Sequence, residues 1–262
     1  MSPSPIRKAL STFNRHGVRA LLMGGQACVL YGAAEFTRDS DFAVASDEAN
    51  LARLRAALRA LRARRVYVPG LSAAALDRGH ACHFRWGAPG PGGHRLDVMG
   101  VLRGCDEFAR LWQRRITVRL AGGVRADLLA VEDLVAAKKT QRDKDWPMIA
   151  RLVQADYLSA GPRPATRRVE FWLREARTPE LLSALVRRFP ARARRLAGER
   201  RAVAAALAGD VSGVRRALRA EEERERAADR AYWAPLRTEL AAWRRKEIQR
   251  RRLLKKRRPR RP

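Results

Sequence analysis

Three aspartates and a pair of glycines carry the strongest chemical signal in the chain. Asp39 and Asp41 stand one residue apart in Thr37-Arg38-Asp39-Ser40-Asp41-Phe42, shortly after Gly24-Gly25-Gln26-Ala27. If residues 39–44 form a strand, its period of two places both carboxylates on one face and turns Ser40 and Phe42 to the other. Two carboxylates held side by side repel each other, so such a pair calls for a cation between them. Two glycines between an apolar run and a helix permit a sharp strand-to-helix turn whose free N–H groups favour an anion. Divalent cation and phosphate are thus the expected chemistry.

These residues need a scaffold, and the flanking sequence supplies one. Ile6, Leu10 and Phe13 mark an amphipathic helix over 5–16 that ends at Gly17. The apolar run 18–23 reads as a strand leading into the glycines, and 26–31 as the start of a helix. Ser46 and Asp47 look like an N-cap for a helix over 48–61, with Leu51, Leu54, Leu58 and Leu61 on one side. Strands are expected over 66–68, 81–86 and 94–99, the last two joined by the loop 87–93 into a hairpin that presents Asp97. His80, Cys82, His83 and His94 read as polar hairpin residues ahead of a metal trio. Segments 116–120 and 124–128 flank Ala121-Gly122-Gly123 as a second hairpin. Helices follow from Val131 through about Arg142, with acid in the first turn, and over 146–157. Residues 159–164 form a candidate linker, after which the composition becomes Leu-, Ala-, Arg- and Glu-rich and reads as helical.

The chain has 262 residues and a net charge of +29, of which +19 lies beyond residue 160 (31 basic minus 12 acidic). That field favours a polyanionic partner, nucleic acid ahead of an acidic membrane. Arg supplies 49 of the 56 basic residues, a bias that GC-rich codons also produce, so charge alone defines no site. The three cysteines have no CxxC spacing, which argues against a disulfide framework or a cysteine zinc site. No apolar run approaches the ~18 residues of a membrane span, and a soluble cytoplasmic protein is expected. Past Trp243 the sequence becomes so basic that 244–262 is expected to be a mobile tail or polyanion-binding arm.

The order strand, Gly-Gly, helix, Asp-x-Asp strand and later Asp strand resembles the DNA polymerase beta-like nucleotidyltransferase superfamily, over roughly 17–155. Within it the chain looks most like the minimal bacterial nucleotidyltransferases that include abortive-infection and toxin–antitoxin members. The resemblance implies an α/β (α+β) core with a mixed β-sheet flanked by helices over 1–160, to which an α-helical appendage over 161–243 and the tail 244–262 are added. It implies that Gly24 and Gly25 cradle nucleotide phosphates and that Asp39 and Asp41 hold divalent metal. Asp97, ahead of Asp127 and Asp106, would complete the metal site and help to activate the attacking hydroxyl. Two Mg²⁺ (or Mn²⁺) ions about 3.5–4 Å apart would stabilise the entering and leaving oxygens as an NTP gives up pyrophosphate.

Minimal members also carry a pattern matched by Glu132-Asp133-Leu134 through Lys138, then Arg142, Lys144 and Asp145. Lys138 and Arg142, four apart on one helix, would bind triphosphate oxygens, with Asp145 orienting them. The match departs at Glu35, where many relatives have Arg two residues before the Thr, so that this basic contact is either absent or supplied elsewhere, with Arg38 a candidate, and at Met148, near a position often held by Asp. The implied activity is transfer of a nucleoside monophosphate to a hydroxyl on RNA (tRNA foremost), a protein or a small molecule. The alternative is a non-catalytic nucleic-acid-binding protein built on the same scaffold. An antitoxin or other protein partner on the helical appendage is compatible with both.

Overall fold

The computed structural model describes residues 4–34, 37, 39–87 and 93–256. The chain is mixed α/β, with one seven-stranded mixed sheet carrying helices and a helical C-terminal part. In chain order the elements are α1 (Pro5–Arg15), β1 (Ala20–Met23), α2 (Gly24–Leu30), β2 (Ser40–Val44), α3 (Glu48–Ala60), β3 (Arg64–Arg65), α4 (Ala73–Asp77), β4 (Cys82–Trp86), β5 (His94–Met99), α5 (Phe108–Gln113), β6 (Ile116–Arg119), β7 (Arg125–Leu128), α6 (Val131–Ala137) and α7 (Asp145–Leu158). Then come α8 (Thr166–Glu175), α9 (Pro179–Arg188), α10 (Pro190–Ala197), α11 (Arg201–Leu207) and α12 (Val211–Lys256). The strand order is β3-β4-β5-β2-β1-β7-β6.

The centre of the sheet sets up the carboxylates. β2 runs antiparallel to β1, pairing Asp41 with Met23, and parallel to β5, pairing Asp41 with Asp97. Leu21, Leu22, Phe42, Ala43, Leu96 and Val98 are fully buried, so register is fixed by apolar side chains that a one-residue slip would expel. Asp47 caps α3 by accepting from the Asn50 amide, as expected of the Ser46-Asp47 pair. Buried Asn50 then joins β1 to β2, accepting from the Arg19 amide at 2.7 Å and donating to the Arg19 and Ala45 carbonyls at 3.0 and 2.9 Å. α2 is held over the sheet by the Tyr31 hydroxyl, which donates to the Leu129 carbonyl at 2.7 Å.

Several boundaries differ from the sequence reading. β3 lies at 64–65 rather than 66–68; the Val66 amide still donates to the His83 carbonyl before the chain turns away. The short helices α4 and α5 add to the elements that periodicity marks out. α6 stops at Ala137 instead of reaching Arg142, because Thr140 diverts the chain: its hydroxyl donates to Asp145 and its carbonyl accepts the Trp146 indole N–H. The linker at 159–164 is short and bridged: Arg168 and Trp172 of α8 both donate to Asp156 of α7. The expected tail boundary after Trp243 falls inside α12, which is continuous to Lys256. The Glu35, Arg38 and residue 257–262 readings, and most of the 87–93 loop, lie outside the described residues. Among the described residues no helix is long and apolar enough to cross a membrane.

α12 docks along the core through its acids. Glu221 pairs with Arg177 and Arg200, Glu225 and Asp229 with Arg103, Glu239 with Arg78 and His80, and Glu247 with Arg65. Trp243 lies against His80, with ring centroids 4.5 Å apart.

Candidate active site

The strand ends and the loop after α6 enclose a cleft of about 450 Å³ lined by Gly24, Asp41, His83, Arg95, Asp97, Lys138 and Arg142, together with Trp233 and Arg237 of α12. Gly24 adopts φ +65°, and a Cβ placed on it would lie 2.0 Å from Asp41 Oδ2. Only glycine allows the turn to approach the carboxylate this closely. Gly25 is confined to a lesser degree, since its Cβ would meet Thr37 Oγ1 at 2.8 Å. The Gln26 side chain donates to the Thr37 carbonyl at 3.0 Å, tying α2 to the segment that enters β2.

Asp41 and Asp97 are direct cross-strand neighbours on parallel strands. Burial first, then the charges of Asp97 and Asp39, push the Asp41 carboxyl up to about 6, against the opposing pull of Lys138 and Arg142. Asp39 precedes β2 rather than belonging to it and is exposed. Asp97 is held from two sides: Arg95 donates to Oδ1 at 3.1 Å and to Oδ2 at 2.9 Å, and His83 Nδ1 stands 2.8 Å from Oδ1. Asp127 and Asp106, the competing third carboxylates, are engaged elsewhere, Asp127 by Thr117, Arg115 and Arg125 and Asp106 by Arg114.

Among the described residues no three His, Cys, Asp or Glu side chains are closed up into a group that could hold a metal as it stands. The donor chemistry nonetheless suits a hard divalent cation: oxygen ligands only, and an Asp41 whose ionisation is opposed by two neighbouring carboxylates. Asp39 and Asp41 would hold it, and Asp97 would join once Arg95 yields an oxygen. His80, Cys82, His83 and His94, read as polar hairpin residues ahead of a metal trio, have separate partners: His80 pairs with Glu239, the Cys82 thiol donates to the Gly70 carbonyl, His83 pairs with Asp97, and His94 packs on Trp86. Burial pushes the thiols of Cys28 and Cys82 up to about 11 and that of Cys105 to about 12, which favours their protonated form near neutral pH.

Lys138, Arg142 and Asp145 meet, although not on one helix. Lys138 is buried and donates to Asp145 Oδ1 at 3.1 Å; Arg142, in the loop, donates to Oδ2 at 2.8 Å, and Thr140 to Oδ2 at 2.6 Å. Burial acts to raise the Asp145 carboxyl, but Lys138, the Thr140 hydroxyl and Arg142 together hold it below the ordinary range. The Arg142 side chain is 59% exposed, which leaves it able to meet a ligand in the cleft. Met148 packs against the core.

The sequence reading missed Arg95, Thr140, Asp229, Trp233 and Arg237 as parts of this site. Arg95 had a local signal, two residues before Asp97 and therefore on the same strand face. His83 needed the β4–β5 register, which sets it opposite Asp97. Asp229, which accepts the Gln141 amide at 2.9 Å, comes from α12 and had none. No protein-family model matches the chain, and no curated protein matches its sequence.

Proposed function

We propose that the protein is a Mg²⁺-dependent nucleotidyltransferase that moves a nucleoside monophosphate from an NTP to a hydroxyl acceptor, RNA ahead of protein or small-molecule hydroxyls. The observation that carries this reading is the adjacency of Asp41 and Asp97 beneath a Gly24 turn too tight for any other residue. Bound divalent cation would supply charge neutralisation at the phosphates and stabilise the leaving pyrophosphate. The chain's own residues have separate tasks. Asp39 and Asp41 would present carboxylate oxygens, Asp97 would accept a proton from the attacking hydroxyl once Arg95 yields an oxygen, and Arg142, steadied by Asp145, would offer N–H donors to phosphate oxygens. Transfer of label from α-labelled NTP to total RNA or lysate, dependent on Mg²⁺, tests the proposal. Absence of transfer, or equal transfer by Asp39→Ala, defeats it.

One observation favours the alternative of a non-catalytic scaffold: Arg95 occupies both oxygens of Asp97. Arg95→Gln separates the two. On the enzymatic reading the variant should bind Mn²⁺ on the order of tenfold more tightly by calorimetry without nucleotide, because a competing cation is removed. If neither wild type nor variant takes up Mn²⁺, the scaffold reading stands.

A further inference from the structure

α12 sorts its charges. Its acids are largely spent on docking: Glu225 and Asp229 hold Arg103, Glu239 holds Arg78 and His80, and Glu247 holds Arg65. Arg230, Arg237 and Arg244 are exposed and, among the described residues, have no carboxylate partner; the Arg237 guanidinium donates only to the Arg230 carbonyl, at 3.4 Å. They recur every seven residues, close to two helical turns, so they lie along one face at intervals of about 10 Å. The middle member of this row, Arg237, lines the Asp41–Asp97 cleft together with Trp233. Trp233 is half-buried and held in place, its indole N–H donating to Asp229 Oδ1 at 3.1 Å and its ring edge-on to Tyr232 at 5.3 Å.

We propose that this face of α12 is a binding track for single-stranded nucleic acid, with the arginines on backbone phosphates and a base stacked on Trp233, so that a strand laid along the row reaches the Asp41–Asp97 cleft at Arg237. The last clause rests on the nucleotidyltransferase reading; the track itself does not. An aromatic beside arginines without carboxylate partners is a combination suited to single strands, through charge along the backbone and sequence-tolerant stacking. An acidic polypeptide would use the arginines but gain nothing from a fixed indole.

The test is fluorescence anisotropy of a 5′-labelled 16-nucleotide single-stranded RNA with the full-length protein, without NTP, across a salt series. Arg230→Gln/Arg237→Gln/Arg244→Gln should weaken binding at least tenfold and reduce the slope of log K against log salt by about 2, at about 0.7 for each phosphate no longer neutralised. Trp233→Leu should weaken it at least fivefold and Trp233→Phe restore most of the loss. Arg194→Gln/Arg195→Gln/Arg201→Gln removes as many exposed arginines from α10 and α11 and should leave affinity within about twofold, although its change in net charge is the same. Equal loss in the two triple variants, no effect of Trp233→Leu, or competition by poly-glutamate as effective as by RNA overturns the track. Normal stripe-dependent binding with no nucleotide transfer would instead keep the track and remove the enzymatic reading. Transfer to RNA that survives the α12 triple variant would do the reverse.

Discussion

Asp41→Asn is expected to abolish nucleotide transfer while making the metal-free protein harder to unfold. Loss of a carboxylate at the centre of the proposed cation site should lower kcat/KM by on the order of 10³-fold, about 4 kcal/mol. The stability change has the opposite sign because the folded Asp41 carboxyl, pushed up to about 6 by burial and by Asp97 and Asp39, exceeds its unfolded value of 3.8. The folded protein therefore holds this proton more tightly than the unfolded chain does. The charged form costs nothing below about pH 4, its cost grows as pH rises, and the full cost is present above about pH 6. That cost is on the order of 2–3 kcal/mol. In EDTA, Asn should raise Tm by roughly 5 °C at pH 7 and leave it unchanged near pH 4. Mg²⁺ should raise the wild-type Tm at pH 7 and that of the variant much less. A variant with normal transfer, or with Tm lowered at pH 7, contradicts the assignment of Asp41 as a buried, cation-seeking carboxylate.

Lys138→Met is expected to produce the largest loss of stability from any single change near the cleft. Lys138 and Asp145 form an ion pair with side chains only 8% and 2% exposed. Removing the lysine leaves the aspartate buried with Thr140 and Arg142 as its remaining partners, a situation that costs about 3–5 kcal/mol. Chemical denaturation should show this, and Lys138→Met/Asp145→Asn should recover part of it because the stranded charge is gone. The pair also sets an acid limit. Asp145 is held below its ordinary range, so its contribution is present above about pH 4 and is lost as pH falls through the folded value. A single-variant loss under about 1 kcal/mol would show that the buried Lys138–Asp145 pair contributes no more than a surface ion pair.

What the sequence made legible follows the reach of each interaction. The Gly24 turn, the Asp41 strand, the Asp47 cap and both hairpins were readable because each is specified within a few residues. Placing Asp97 beside Asp41 required a parallel pairing between β2 and β5, which spacing alone does not reveal. The overextended helix after Val131 shows the limit in another form. Apolar periodicity and charge favoured continuation to Arg142, but Thr140 gains partners in Asp145 and Trp146 that exist only after α7 packs. Asp39 was placed on the strand with Asp41 by periodicity, yet the ladder begins at Ser40. The contribution of α12 to the cleft was invisible, since Trp233 is separated from Asp41 by most of the chain and comes to line the same cleft only through tertiary docking.

The anchoring of α12 changes how this protein can be dissected. Asp229 accepts the Gln141 amide and pairs with Arg103, and Arg226 pairs with Asp143, so the loop that carries Arg142 is shaped by a helix from the far end of the chain. A fragment ending at Ala160, where composition invites a cut, would lose those partners and leave Arg103 without its carboxylates. Such a fragment should melt as a looser, less cooperative body than the full chain, and limited proteolysis should not release it as a stable product. In evolutionary terms, the helical part is not free to be exchanged like a cassette; any replacement would have to reproduce the acid at position 229 along with its acceptor surface.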